Sequence, residues 1–539
     1  MSSQISIAKG QAPEPPGPRD TGIPGTGKGL RGHPWLTLVT VAIGITMVAL
    51  DGTIVAIANP AIQKDLGASL ADVQWITNGY LLALAVALIT AGKLGDRFGH
   101  RQTFLVGVVG FAAASGVIGL GGSVSLVVTF RVVQGLFGAL LMPAALGLLR
   151  ATFPAEKLNT AIGIWGAVIG ASTAAGPIVG GLLVEHVNWE SVFFINIPVG
   201  LVALLMGLLI LRDHRAENAP RSFDIPGIVL LSVAMFCLIW ALIKAPTWGW
   251  ADPLTVGFLG AALVTFLVFG FWESKAREPL LPLSMFRSVP LTAGTVLMVL
   301  MAFGFMGGIF FVTFYLQNVH GMAPVDSGLR LLPLTAMMIV ASPLAGWLIS
   351  KVGPRGPLVG AMIIAAVAMF GLSTLDAESG AAATSIWFSL LGLGLAPVMV
   401  GATEVIVGNA PMEHAGVAGG LQQAAMQVGG SLGTAVLGVV MASRVDTVLP
   451  QKWAEAKLPP LQPGQEDKLK SAAEVGVAPP APKGTPEQIV AAVKGVLHDS
   501  FISGMGLAFT CAGIVAVLAA GVAFFTKRGA NDAGPSVHV

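Results

Sequence analysis

Residues Trp35–Pro60 read WLTLVTVAIGITMVALDGTIVAIANP. The stretch is apolar almost throughout, yet Asp51 sits inside it. About 18 or more apolar residues in a row are long enough to cross a bilayer as a helix. A carboxylate within such a helix costs roughly 2.5–3.5 kcal/mol on insertion scales, so it needs a partner, a water-filled cavity or a proton. The stretch therefore predicts a membrane helix with a working acid inside it.

Composition agrees. Of 539 residues, 54% are hydrophobic and 11% charged, with a mean hydropathy of +0.79. Soluble domains carry about 25% charged residues, so a chain this apolar belongs in lipid. A net charge of +2 gives no reason to expect nucleic acid. Cys237 and Cys511 both lie in apolar runs, which excludes a disulfide framework and a Cys-rich metal site and reads as packing.

Residues 1–34 are rich in Pro and Gly and carry Lys9, Arg19, Lys28 and Arg31, as expected of a disordered cytoplasmic tail rather than a signal peptide. Gly22–Lys28 resembles a phosphate loop, but Gly29 stands where Ser or Thr would hold magnesium and no strand precedes it, so no nucleotide site is expected. Apolar runs of spanning length follow at 35–58, 71–92, 102–121, 125–149, 159–184, 191–211, 225–244, 254–272, 290–315, 325–350, 357–376, 384–407, 415–441 and 501–526. These are fourteen, and the short loops make neighbours antiparallel.

With the N-terminus inside, the cytoplasmic loops hold Lys93, Arg97, Arg101, Arg150, Lys157, Arg212, Arg215, Arg221, Lys275, Arg277, Arg287, Lys351, Arg355, Lys527 and Arg528. Short outer loops offer little beyond Lys64 and Lys244, which satisfies the positive-inside bias. Both termini, including 529–539, are then cytoplasmic. Residues 442–500 form one long outer loop, expected to be a solvated connector; Thr485 reads as an N-cap with Pro486 in the first turn of a surface helix feeding the last span.

Arg131 lies about six residues from the outer end of span four, and Asp51 about seven from the outer end of span one. At 1.5 Å rise per residue the two share a depth. No acid stands three or four positions from Arg131 on its own helix, so Asp51 is its candidate partner; the alternative is a guanidinium snorkelling to the outer surface. Arg330, with Asp326 one turn before it, reads instead as a local structural pair.

Between spans two and three lies Gly92-Lys-Leu-Gly95-Asp96-Arg97-Phe-Gly99-His-Arg101. The Gly-x-Leu-x-Asp-Arg-x-Gly-x-Arg pattern resembles the signature loop of the major facilitator superfamily. That resemblance implies a gate in which Asp96 faces a helix N-terminus of the other half and holds the cytoplasmic side shut. A worn copy, Gly346-Trp-Leu-Ile-Ser350-Lys351-Val-Gly353-Pro-Arg355, has Ser350 in the place of Asp96. The repeat fits an N-terminal six-helix half (35–211), an inserted two-helix segment (212–289) and a C-terminal six-helix half (290–528), with the site at their interface. The fold class expected is an all-α membrane protein of fourteen helices.

Span five carries Gly166-x-x-x-Gly170, a spacing that lets helices approach closely, and then Gly176-Pro177-x-x-Gly180-Gly181. The second motif resembles the span-five signature of the superfamily's exporter branch. Leu50-Asp51-Gly-Thr53-Ile-Val, Trp75 with Tyr80, and Phe193-Phe-Ile-Asn196-Ile-Pro-Val-Gly200 add further matches, and with fourteen spans the whole looks like the drug:proton antiporters. Trp189-Glu190-Ser191 departs from that pattern.

The resemblance implies a proton-coupled secondary transporter that exports small, largely apolar or cationic compounds across the plasma membrane. The proton gradient drives it and no cofactor is needed. Asp51 and Arg131 are the expected coupling pair, with Asp51 hydrated when the site faces outward. Glu404 is a candidate second carboxylate, near enough to the cytoplasmic end of its span to reach water. Gln134, Asn196, Phe310, Tyr315, Gln422 and Gln423 are candidates for a substrate cavity, the glutamines being equally suited to hydrogen-bonding between helices. A dedicated exporter of one natural product, peptide or lipid is the alternative, and a non-transporting membrane sensor a third reading. No nucleophile motif or metal-spaced cluster points to an enzyme. The partners expected are a small-molecule substrate, protons and lipid, around a monomer.

Overall fold

The structure, a computed structural model, describes residues 30–68, 70–212, 224–459, 465–479 and 486–527. The phosphate-loop-like stretch 22–28, the tail 529–539, Thr485 and the basic residues Arg215, Arg221 and Arg528 lie outside them.

Helix α1 (Pro34–Leu66) starts where a proline already has helical φ, and it ends at Gly67, φ +60°, whose N–H turns back to the Gln63 carbonyl. Then come α2 (Leu70–Phe98), α3 (His100–Gly119), α4 (Val124–Thr152), α5 (Ala155–His186), the single turn α6 (Ser191–Phe194) and α7 (Asn196–Ile210). The inserted pair is α8 (Ile225–Trp248) and α9 (Pro253–Glu273). The remainder is α10 (Val289–Phe314), α11 (Pro324–Arg330), α12 (Leu332–Val352), α13 (Arg355–Leu372), α14 (Ala381–Gly408), α15 (Ala415–Glu455), α16 (Gln465–Glu474) and α17 (Glu487–Ala523). Among the described residues, fourteen helices are long and apolar enough to cross a membrane.

Helices α1–α5 and α7 pack on one another, as do α10, α12–α15 and α17. The two groups meet along two seams, α2 against α15 and α5 against α12. Both seams are backbone on backbone. A β-carbon at Gly420 would stand 2.6 Å from the Leu88 carbonyl oxygen, and one at Gly163 2.6 Å from that of Ser342. Gly92 meets Gly416, and Gly346 meets Asn159, in the same way. In the worn second copy of the gate loop, Ser350 Oγ donates to its own helix at Trp347 O (2.7 Å), and Gly346 closes against the Asn159 main chain.

The inserted pair is stapled to α2. α9 leans on α8, and α8 on both α2 and α15. Trp240 stacks on Trp75 with ring centroids 4.9 Å apart. At the other end Lys93 is buried and donates to the Pro279 carbonyl at 2.8 Å, so this residue serves as a tether as well as a loop charge.

The long loop differs from a plain connector. α15 carries helix out to Glu455, and α17 is continuous from Glu487, so the expected surface helix and the last span are one element. Pro486 immediately precedes α17. Between them α16 packs on both, and Asn318 Nδ2 donates to Val475 O at 2.6 Å. The departure at 189–191 also has its own anchor: the indole N–H of Trp189 donates to Asp65 Oδ2 at 2.9 Å.

Candidate functional site

Helical pitch sets the site. α1 turns Asp51 away from lipid, α4 brings Arg131 and Gln134 three residues apart on one face, and the break between α6 and α7 points Asn196 inward. Asp51 is 0% and Arg131 1% exposed. Arg131 Nη1 donates to Asp51 Oδ2 at 2.5 Å and to Gln134 Oε1 at 2.7 Å, and its Nε donates to Ile76 O at 3.1 Å. The guanidinium lies 4.1 Å from the centre of the Tyr80 ring. The snorkelling alternative for Arg131 is therefore excluded.

Asp51 Oδ1 accepts from Gln134 Nε2 (3.1 Å) and from Asn196 Nδ2 (3.4 Å). Both amides also donate to Ser115 Oγ, at 2.6 and 3.0 Å. Gln134 and Asn196 thus belong to the shell of the carboxylate and do not line a cavity, correcting that expectation: an amide between helices serves two buried acceptors better than it serves a solvent-filled space. Ser115, the hub of the network, was not among the sequence candidates. Its signal is depth: six residues from the outer end of span three, it matches Arg131 in span four. The carboxylate is dry here, not hydrated, because donors from α4 and α7 enclose it. Ser115→Ala is expected to strand two amide donors and cost about 1–3 kcal/mol, read as a lowered melting temperature in detergent.

The second constellation is the gate turn. α2 and α3 are joined by Gly99 alone, at φ +97°, a conformation only glycine adopts without strain. Asp96 is buried, and its Oδ1 and Oδ2 accept from the main-chain N–H groups of Gly416 (2.7 Å) and Val417 (3.0 Å) at the N-terminus of α15. That is a carboxylate on the positive end of a helix macrodipole, carried by the other group of helices. Arg97 lies over the Phe98 ring (5.5 Å), and Arg101 Nη2 donates to Leu208 O (3.3 Å). This end of the molecule is closed.

Other expectations change. Among the described residues Gly166 has only Val400 Cγ2 near it, at 3.8 Å, and Gly170 has nothing within 4 Å, so that pair makes no close approach there. Besides Gly163 against Ser342, the tight contacts of α5 are at Gly176 and Gly180, where added β-carbons would stand 2.9 Å from Thr53 Cβ and 2.9 Å from Ile54 Cγ1. Gly181 is half-buried, and the side chain of Pro177 lies outside the described residues. Glu404 is buried within α14 and does not reach water.

Gln422 and Gln423 are buried side by side on α15, Nε2 of the first 3.8 Å from Met298 Sδ and of the second 3.5 Å from Met142 Sδ. Tyr315 is buried at the far end, donating to Asp376 O at 2.6 Å, while Phe310 is exposed on α10. The six cavity candidates are therefore not brought together. Asp326 and Arg330 share no ion pair among the described residues; with Met322, Leu329, Pro333 and Ser385 they line a cavity of about 510 Å³.

An all-helical fold of fourteen spans, a carboxylate latch between two helix groups and a buried acid–guanidinium pair define a secondary transporter. Residues 41–434 match the family model of the Major Facilitator Superfamily, and the chain belongs to that superfamily. It is 70% identical over 505 residues to the tetracenomycin C resistance and export protein of Streptomyces glaucescens, covering 94% of each chain. It is 33% identical over 428 residues to the multidrug resistance protein Stp of Mycobacterium tuberculosis, covering 79% of each. Among solved structures, the human organic anion transporter MFSD10 superposes with a TM-score of 0.60 at 11% identity, over 91% of this chain and 99% of that one, a likeness of fold alone.

Proposed function

We propose that this chain is a proton-coupled exporter of tetracenomycin C or a compound of that kind, acting in the plasma membrane with both termini in the cytoplasm. The positive residues support a cytoplasmic gate end: Arg97, Arg101, Arg150, Lys351 and Arg355 all lie there, in keeping with the positive-inside bias. The sealed Asp51–Arg131 pair is the observation that carries the coupling. A buried acid whose shell is filled by Arg131, Gln134 and Asn196 takes a proton only when part of that shell lets go, which ties proton uptake to helix movement. With the gate end closed, the proton arrives from outside. When the gate opens, the proton leaves to the cytoplasm and the charge returns to Arg131.

A dedicated substrate is favoured over a broad one because the 70% identity extends over 94% of both chains, whereas the multidrug relative is at 33%. Everted vesicles carrying an inside-acid gradient are expected to accumulate tetracenomycin C and to lose it on adding a protonophore. Accumulation indifferent to the protonophore would sink the coupling. No accumulation of tetracenomycin C beside uptake of several unrelated dyes would sink the substrate.

A further inference from the structure

The imidazole of His100 occupies a slot cut by three glycines. A β-carbon at Gly95 of α2 would stand 2.6 Å from its Nδ1, one at Gly147 of α4 2.6 Å from its Cδ2, and one at Gly416 of α15 2.9 Å from its Cε1. Two of the walls belong to one helix group and the third to the other, so the ring is a wedge in the closed gate. Its Nε2 lies 3.4 Å from Asp96 Oδ1, the same oxygen that accepts the Gly416 N–H at 2.7 Å. Imidazole and α15 therefore share one carboxylate oxygen in the closed gate, α15 at the shorter distance.

We infer that His100 is a positioning residue for the gate: its protonation draws Asp96 off the N-terminus of α15 and opens this end of the molecule. The inference rests on the reading that this end opens during transport. Its sign follows from what surrounds the ring in each state. Closed, an imidazolium is buried beside the positive end of α15, among cations whose charge reaches Asp96, namely Lys93 on α2 and Arg150 on α4. Open, water reaches the ring and Asp96 has lost two main-chain donors, which leaves its carboxylate to the imidazolium. The charged ring is better stabilised open, so by linkage protonation favours opening.

The other charged groups of the neighbourhood have contacts of their own. On α2, Arg97 is turned over Phe98, and on α3, Arg101 is turned to Leu208 O. Arg150 Nη2 donates to Ala410 O at 2.7 Å. In the turn before α15, His414 sits 3.7 Å from Glu413, and burial together with Lys93 pushes its pKa down from the ordinary histidine value. His100 thus sits where a change in its charge acts directly on the Asp96 carboxylate.

The test uses full-length protein in nanodiscs, without substrate, carrying spin labels at the exposed positions Val106 and Val352 after Cys237 and Cys511 are replaced by Ala. Dipolar distances are then measured from pH 8 to pH 5.5. If the two states differ by about one pKa unit, the wild-type ratio of open to closed rises roughly tenfold on acidification. His100→Gln, which keeps a donor for Asp96 but cannot gain charge, is expected to hold one ratio throughout. A flat wild type, or an unchanged slope in His100→Gln, overturns the inference. Should His100→Gln not fold, hydrogen exchange of the wild-type segment 415–421 decides alone. Protection corrected for intrinsic rates is expected to fall on acidification, and equal protection at both pH values refutes the proposal. Neither measurement involves export, so either result leaves the transport reading to its own vesicle assay.

Discussion

Arg131→Met is expected to be the most damaging single change at the buried pair. It leaves the Asp51 carboxylate in a site with no exposure and no counter-charge, and breaking a buried pair by removing one partner costs about 3–5 kcal/mol. Asp51→Asn strands the guanidinium in the same way, although Gln134 Oε1 and Ile76 O still accept from it, so its loss should be the smaller. The double variant removes both charges and is expected to regain most of the stability, since neutral groups of similar volume often replace a buried ion pair at little cost. Substrate-coupled proton movement should be absent from all three. Thermal unfolding in detergent beside proton flux in vesicles separates the two roles. A stable Asp51→Asn protein that still moves protons with substrate would remove this acid from the coupling step. A double variant no more stable than either single would show that the charges do not stabilise each other.

The pair was legible because cost and depth are both written in the chain. An acid and a guanidinium in apolar runs are expensive, and counting residues from the span ends puts them at one level. The rest of the network was less legible because its members are cheap. Ser115 sits in a run of alanines and glycines that reads as packing, and nothing in Gln134 or Asn196 says whether an amide faces a cavity or a neighbouring helix. That choice depends on how helices rotate about their axes, which the face of Arg131 on α4 decides and which a pattern of uniformly apolar spans does not record. The same uniformity hid the true close approach of α5. Gly166 and Gly170 have the familiar spacing, yet the crowded positions are Gly163 against Ser342, and Gly176 and Gly180 against Thr53 and Ile54. The long loop was misjudged for a different reason. Polar helices such as α16 carry little apolar periodicity, and α15 and α17 run past the hydrophobic limits used to end their spans.

The gate shows the same physics from the other side, since its specificity lies in atoms that are absent. At Gly92 a methyl group would be driven into the main chain of Gly416, 2.6 Å from its carbonyl carbon and 2.9 Å from the Val417 nitrogen, and a main chain cannot step aside as a flexible side chain can. Gly92→Ala is therefore expected to leave each group of helices folded while denying them this seam. Overpacking costs about 1–3 kcal/mol, and set against two conformations of near-equal energy that shifts the closed-to-open ratio by about 5- to 150-fold. Export should fall accordingly, because a carrier that cannot close its inner end cannot present its site to the outer side. Gly170→Ala is the matched control: with no described residue within 4 Å of the added carbon, it should transport like the parent. Spin-label distances across the gate end would show Gly92→Ala fixed in the wide population at a pH where the parent is mostly narrow. A normal closed population in Gly92→Ala would mean that the two main chains do not meet as described, and the latch between Asp96 and α15 would then have to be held by something other than this backbone contact.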